Sequence, residues 1–125
     1  MGNARHDSVE NYLETILMLG IRGEPVRSID IVNKLEYTRP SVSIAMKKLR
    51  ESGFIEVDCD GHITLTKEGQ IIAESIYEKH VIICRFLKYL GVDSDTAFND
   101  ACKIEHVISE QSFSAIKKHV ERIDG

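Results

Sequence analysis

The sequence predicts a mainly α chain in which an N-terminal winged helix-turn-helix is followed by an α-helical domain. Three observations predict it. Two short stretches of helical apolar spacing are separated by only three residues, Glu36, Tyr37 and Thr38. Two β-type runs joined through Asp60-Gly61 come directly after them. Everything beyond has helical period, interrupted at Gly91. The expected division is 1–67 for the winged motif and 68–125 for the helical part.

The elements follow in order. Val9, Tyr12, Leu13, Ile16, Leu17 and Leu19 have the spacing of one helix face, and Gly20 and Gly23-Glu24-Pro25 break it. Ser28 is the expected N-cap of a short helix, SIDIVNKL, with Ile29, Val32 and Leu35 on one side. Thr38 caps the next, RPSVSIAMKKLRES, where Pro40 stands near the first position and its missing N–H does no harm. Val42, Ala45, Met46 and Leu49 face inward, and Gly53 closes the helix. FIEV and HITL then form a hairpin across Asp58-Cys59-Asp60-Gly61. Thr66 caps a long helix reaching about Leu90. Asp93-Ser94-Asp95 opens another that carries ACKIEHVISE, and a last amphipathic helix covers roughly Ser112 to Arg122.

The 125 residues are 42% hydrophobic and 29% charged, a globular composition for one domain or two small subdomains. The net charge of −4 does not advertise nucleic acid, but it is unevenly spread. From Arg27 to Arg50 six basic residues face two acidic ones, whereas from Gly69 to Gly125 seven basic face nine acidic. A basic segment in an acidic chain is a local electrostatic footprint. No apolar run approaches the roughly 20 residues of a membrane span, and no leader pattern opens the chain. The expected compartment is the cytoplasm, with Cys59, Cys84 and Cys102 reduced. Three cysteines cannot all pair within one chain, so they read as core residues or ligands.

The second helix of a helix-turn-helix enters the major groove with its N-terminal residues nearest the bases. Here these are Arg39, Pro40, Ser41, Ser43 and Ile44. Lys47, Lys48 and Arg50 supply attraction to the phosphate backbone. Standing alone, KKLR is an ordinary solvated helix face; its place on the second helix of a winged motif makes DNA contact the expected reading. His62 lies in the wing, where an exposed loop histidine is the plainer reading.

Cys102, Glu105 and His106 are spaced i, i+3 and i+4, which on a helix sets a thiol, a carboxylate and an imidazole on one face. One helix supplies one side of a coordination sphere. Two further sets stand at helical spacing, Asn11 with Glu14 and His80 with Cys84. Each has an ordinary alternative: a hydrogen-bonded core histidine, a surface carboxylate, a cysteine acting as a small hydrophobe. Three sets on three helices of so small a protein bring a metal site level with these alternatives.

With these residues assembled, the chain resembles the metal-dependent repressors of the diphtheria-toxin-repressor and manganese-transport-regulator family. The matching segments are SVENYLETI, RPSVSIAMKKLRESGFIE, LTKEGQ, KHVIICRFLKYLGVD and NDACKIEHVISE. The resemblance implies an α-helical metal-binding and dimerisation domain after the winged motif. It also implies a cytoplasmic homodimer that binds operator DNA when loaded with Fe²⁺ or Mn²⁺, with Co²⁺ or Zn²⁺ able to substitute, and that represses metal-uptake genes. Its metal residues fall on Asn11, Glu14, His80, Cys102, Glu105 and His106. Cys102 stands where the manganese type has a carboxylate and the iron type a cysteine. Asn11 replaces an aspartate or a methionine, Cys84 replaces a glutamate of the iron type's second site, and Phe98 lies near that site's histidine. The chain is a hybrid of the two types. The iron type's C-terminal β-barrel is not expected, because the sequence ends at Gly125.

A metal joining Glu14 to the Cys102 segment would fix the angle between the two halves and so the spacing of the recognition helices, shifting a population rather than creating a state. The helical half carries more apolar residues than a small core needs, and Val81, Ile82, Phe86, Leu87, Val107 and Ile108 are the expected dimer face. The competing class is a metal-independent winged-helix regulator responding to a small effector or to thiol oxidation. A metal hydrolase lacks a His-Glu-x-x-His helix, and a structural zinc site lacks a Cys-x-x-Cys pair. The chain therefore reads as a regulator and not as an enzyme.

Overall fold

The computed structural model describes residues 4–124, with side chains from Val9 onward. It contains six helices and a two-stranded antiparallel sheet among these residues: α1 Ala4–Gly20, α2 Ser28–Leu35, α3 Arg39–Glu51, β1 Ile55–Val57, β2 Ile63–Leu65, α4 Lys67–Tyr89, α5 Ser94–Ile104 and α6 Glu110–Asp124. The chain divides into two compact units, 1–74 and 75–125.

The first unit is a winged helix-turn-helix. Its core gathers Leu13 and Ile16 of α1, Ile31 of α2, Val42, Met46 and Leu49 of α3, and Ile55 and Ile63 of the hairpin. Each such side chain contributes about 1.5–3 kcal/mol when it leaves water. The inward face expected for α3 is the one that is buried, with Ala45 partly so. On α2 it is Ile31 that is buried, while Ile29 is exposed, so the apolar stripe is turned from the Ile29-Val32-Leu35 line.

The ends of these helices show how the turn is made. Ser28 is not the cap of α2 but its first residue. The cap position is Arg27, whose N–H donates to the Asp30 carboxylate at 2.9 Å. Asp30 is three residues on and reaches back, which leaves the serine hydroxyl unneeded. Glu36 closes α2 at φ 58, a left-handed conformation rare outside glycine, and the chain reverses within three residues. Thr38 caps α3, its hydroxyl accepting from Ser41 N–H at 3.3 Å, and Pro40 sits in the first turn.

The hairpin pairs Ile55 with Leu65, Glu56 with Thr64 and Val57 with Ile63. A single bridge adds Val26 beside Ile63, whose N–H donates to the Val26 carbonyl at 2.7 Å. Thr66 caps α4 by accepting from Gly69 N–H at 3.2 Å, and its own hydroxyl donates to the Gly53 carbonyl at 2.6 Å. Gly69 is buried, and a Cβ there would lie 2.0 Å from the Phe54 carbonyl oxygen.

The second unit packs α5, α6 and the later part of α4 around Ile82, Ile83, Ala101, Phe113 and Val120. Asp93 caps α5, and its carboxylate is held below the ordinary range by the Thr96 hydroxyl and amide. Ser109 accepts from Ser112 N–H at 3.1 Å, so α6 begins at Glu110 rather than Ser112. Helix α6 runs alongside α4 in the same direction. Lys117 meets Glu78 at 3.0 Å and Arg85 meets Asp124 at 2.9 Å, each pair 39 residues apart, and Tyr89 also donates to Asp124. Of the residues expected at a dimer face, Ile82 belongs to this unit's core, and Phe86, Leu87 and Ile108 pack against it. Val107 is 68% exposed.

Candidate metal centre and nucleic-acid interface

The segment ACKIEHVISE is not one uninterrupted helix. Helix α5 ends at Ile104, and Glu105 keeps a helical conformation (φ −58, ψ −26) with its N–H on the Ala101 carbonyl at 3.0 Å. The chain then turns as the amides of Val107 and Ile108 both donate to the Ile104 carbonyl. Cys102 and Glu105 therefore stay on one face, as the spacing requires, whereas His106 leaves from the turn.

Helix α4 brings His80 to that face. Its Nδ1 lies 3.3 Å from Glu105 Oε2 and 3.8 Å from Cys102 Sγ. One atom from each of His80, Cys102 and Glu105 lies within 4.8 Å of the others. His106 Nε2 stands 3.5 Å from Glu105 Oε1, so the carboxylate has an imidazole on each oxygen. The Glu105 side chain is only 1% exposed. Burying a carboxylate is costly unless positive charge accompanies it.

The nitrogen, sulfur and oxygen donors suit a divalent transition metal, and atoms bound to one ion at about 2.0–2.3 Å stand roughly 3–4 Å apart, as His80 Nδ1 does from the other two. The residues present fit such an ion. Phe98 meets the His80 ring edge to face at 4.6 Å. Cys84 packs against the core as a small hydrophobe. Lys79 pairs with Glu110 at 2.8 Å and lies over Phe113, pinning the start of α6 just after the His106 turn.

Asn11 and Glu14 belong to the first unit. Glu14 is buried, and the Asn11 amide donates to the Tyr37 hydroxyl at 3.4 Å. Tyr37 precedes the cap of α3, and its ring meets that of Tyr12 edgewise at 5.8 Å. Burial, and then the proximity of Tyr37, push the Tyr12 phenol above its ordinary value.

Every residue expected to meet DNA is on the surface of α3: Arg39, Pro40, Ser41, Ser43, Ile44, Lys47 and Lys48 are exposed, as is Arg50. Thr38 Oγ1 donates to Ser41 Oγ at 2.8 Å, leaving the Ser41 proton for a further acceptor. Arg27 lies beside the wing. Its Nη2 donates to His62 Nε2 at 3.1 Å, and the opposite ring nitrogen of His62 lies 3.2 Å from Asp58 Oδ2. The Val26–Ile63 bridge brings Arg27 beside the wing, and one bridge leaves no periodic trace in sequence. Asp58, Asp60 and His62 also cluster there, but the Asp58 oxygens are taken by the amides of Asp60 and His62 and by the His62 ring.

The iron dependent repressor N-terminal DNA binding domain matches residues 6–63, and the iron dependent repressor metal binding and dimerisation domain matches 66–124. The chain belongs to the iron-dependent repressor family. It is 33% identical over 117 residues to an HTH-type transcriptional regulator of Methanocaldococcus jannaschii, covering 92% of this chain and 94% of that one. It is 32% identical over 111 residues to the transcriptional regulator MntR of Salmonella typhimurium, covering 89% and 71%. The solved manganese regulator SloR superposes with a TM-score of 0.78 at 32% identity, covering 90% of this chain and 53% of SloR. The chain thus spans about half the length of SloR. No helix among the described residues is long and apolar enough to cross a membrane.

Proposed function

We propose that the chain is a metal-responsive transcriptional regulator that binds operator DNA as a homodimer when loaded with Fe²⁺ or Mn²⁺ and represses genes of metal uptake. The convergence of His80, Cys102 and Glu105, with His106 on the second carboxylate oxygen, carries the proposal. A bound divalent ion would supply the positive charge that a buried carboxylate and a thiolate call for. His80 would bind through Nδ1, held in orientation by Phe98, while Glu105 and Cys102 come from the end of α5. Asn11 and Glu14 enter as ligands through their i, i+3 spacing and the family resemblance. The Cys102 thiolate favours Fe²⁺, Co²⁺ or Zn²⁺ over Mn²⁺, which prefers oxygen. On the DNA side, Lys47, Lys48 and Arg50 hold phosphates while Arg39, Pro40, Ser41, Ser43 and Ile44 lie toward the base edges. Acting in the cytoplasm by binding, the protein needs no catalytic residue.

The test is anaerobic equilibrium dialysis with Mn²⁺, Fe²⁺, Co²⁺ and Zn²⁺, on the unmutated protein and on His106→Ala. Binding at micromolar concentration or tighter that His106→Ala abolishes is the expected result. Binding indifferent to His106, or none, would overturn the metal reading and leave a winged-helix regulator of another effector.

A further inference from the structure

A relay of three polar side chains crosses from the start of α2 to the wing, and its middle member can take up a proton. Arg27 Nη2 lies 3.1 Å from His62 Nε2, and His62 Nδ1 lies 3.2 Å from Asp58 Oδ2. A guanidinium has donors only, so Nε2 of this imidazole is the acceptor. The ring proton is therefore on Nδ1, toward the carboxylate, and the ring is neutral. A charged imidazole has N–H on both nitrogens. It would turn a second donor and a like charge on Arg27 while pairing more strongly with Asp58.

The two ends of the relay differ in freedom. Asp58 is fixed, because its Oδ1 accepts from the amides of Asp60 and His62 at 2.9 Å each. Arg27 is fixed only in its backbone, by the Asp30 carboxylate and by the bridge at Val26, and its side chain is exposed. The His62 side chain is 28% exposed, so water can deliver the proton. The charged groups about the ring are Arg27 on one side and Asp58 and Asp60 on the other. Protonation therefore displaces the guanidinium, the partner that is free to move.

We propose that His62 is a proton-operated latch on Arg27: the neutral ring holds the guanidinium against the wing, and the charged ring releases it. Imidazoles exchange this proton within roughly pH 5–8, where guanidinium and carboxylate groups keep their charge. Released, the Arg27 cation is available to an operator phosphate, so operator binding strengthens with acid through this pair. That consequence rests on the operator-binding reading above; the latch itself does not.

Long-range ¹H–¹⁵N NMR of the full chain, with the His62 signals assigned by their loss in His62→Gln, reads the latch directly. The neutral ring is expected to have its proton on Nδ1. Operator affinity reads the release, on a duplex enriched from a random library and at saturating Mn²⁺ at each pH. His62→Gln keeps an uncharged acceptor for Arg27 at every pH, and titration of the metal ligands is common to both proteins. Between about pH 8 and about pH 6 the unmutated protein should gain about threefold over His62→Gln, the effect of one exposed charge contact. Arg27→Met, which removes the guanidinium, should abolish that gain. A neutral ring protonated on Nε2, equal pH dependence with and without His62, or a gain that survives Arg27→Met would overturn the proposal. Failure to enrich any duplex would overturn the operator-binding reading and the release it serves, while the position of the ring proton still decides the latch.

Discussion

Asn11 reaches across from α1 to Tyr37, its amide 3.4 Å from the phenolic oxygen in the turn that launches α3. The same tyrosine rests edgewise on Tyr12, so two consecutive residues of α1 hold the residue before the Thr38 cap. So long a hydrogen bond is weak, of roughly 0.5 kcal/mol. Asn11→Ala and Tyr37→Phe should therefore each destabilise slightly, and the double variant should lose less than the two losses combined. Urea denaturation of the four proteins checks this, and strict additivity would show the contact to be idle.

Removing Glu105 takes the central carboxylate from between two imidazoles. Glu105→Ala is expected to lower metal affinity by on the order of 100-fold and to weaken operator binding at fixed metal, although the residue is far in sequence from α3. Fluorescence anisotropy on a labelled duplex across a metal titration reads both effects. Operator affinity equal to that of the unmutated protein would contradict the role given to Glu105.

Cys102 decides the preference among metals. With Co²⁺ the unmutated protein should show an intense near-ultraviolet thiolate charge-transfer band, and Cys102→Asp should lose it. The same variant should raise Mn²⁺ affinity relative to Co²⁺, since a hard oxygen replaces sulfur. A band unchanged in Cys102→Asp would place the cysteine outside the coordination sphere.

Acidification should act on the wing through Asp58. The His62 backbone amide, before any other cause, holds its carboxyl below the ordinary value of 3.8. Because the folded value is depressed, the group's stabilising contribution is present above the unfolded value and is lost as pH falls through the folded one. A carboxyl carbon NMR titration should find its midpoint below 3.8. His62→Ala should preserve most of that depression, because the amide remains when the ring is gone. A midpoint at or above the ordinary value would remove the turn from the acid response.

Among the described glycines, Gly69 is the one where an added carbon meets backbone. Its Cβ would meet the Phe54 carbonyl oxygen at 2.0 Å, and backbone cannot swing aside as a side chain can. Gly69→Ala should cost about 1–3 kcal/mol or more, read as a lower urea midpoint with an unchanged slope.

How much of this was legible in the chain differs by element. The turn between α2 and α3 and the hairpin were, because glycine, proline and capping residues act within a few positions. The cap of α2 was misplaced onto Ser28, because Asp30 serves the Arg27 amide from inside the helix. The spacing of Cys102 and Glu105 revealed a shared face, but the end of α5 at Ile104 depends on a chain reversal that no residue type there announces. That His80 comes within 3.8 Å of the Cys102 sulfur is a matter of how α5 packs on α4, and packing partners are not written in local periodicity. Phe98 was read for what it replaces, while its contact with the His80 ring needed coordinates.

The two ion pairs between α4 and α6 act as a key. Glu78 opposes Lys117, and seven residues further along both helices Arg85 opposes Asp124, with the signs exchanged. Sliding α6 by seven residues one way would set Lys117 against Arg85, and the other way Asp124 against Glu78. Either slip puts like charge against like. The apolar seam of two parallel helices would tolerate several alignments, and the alternation of sign singles out one. Exposed pairs of this kind contribute little to the depth of the native well, yet they determine which of several near-equivalent wells the second unit falls into.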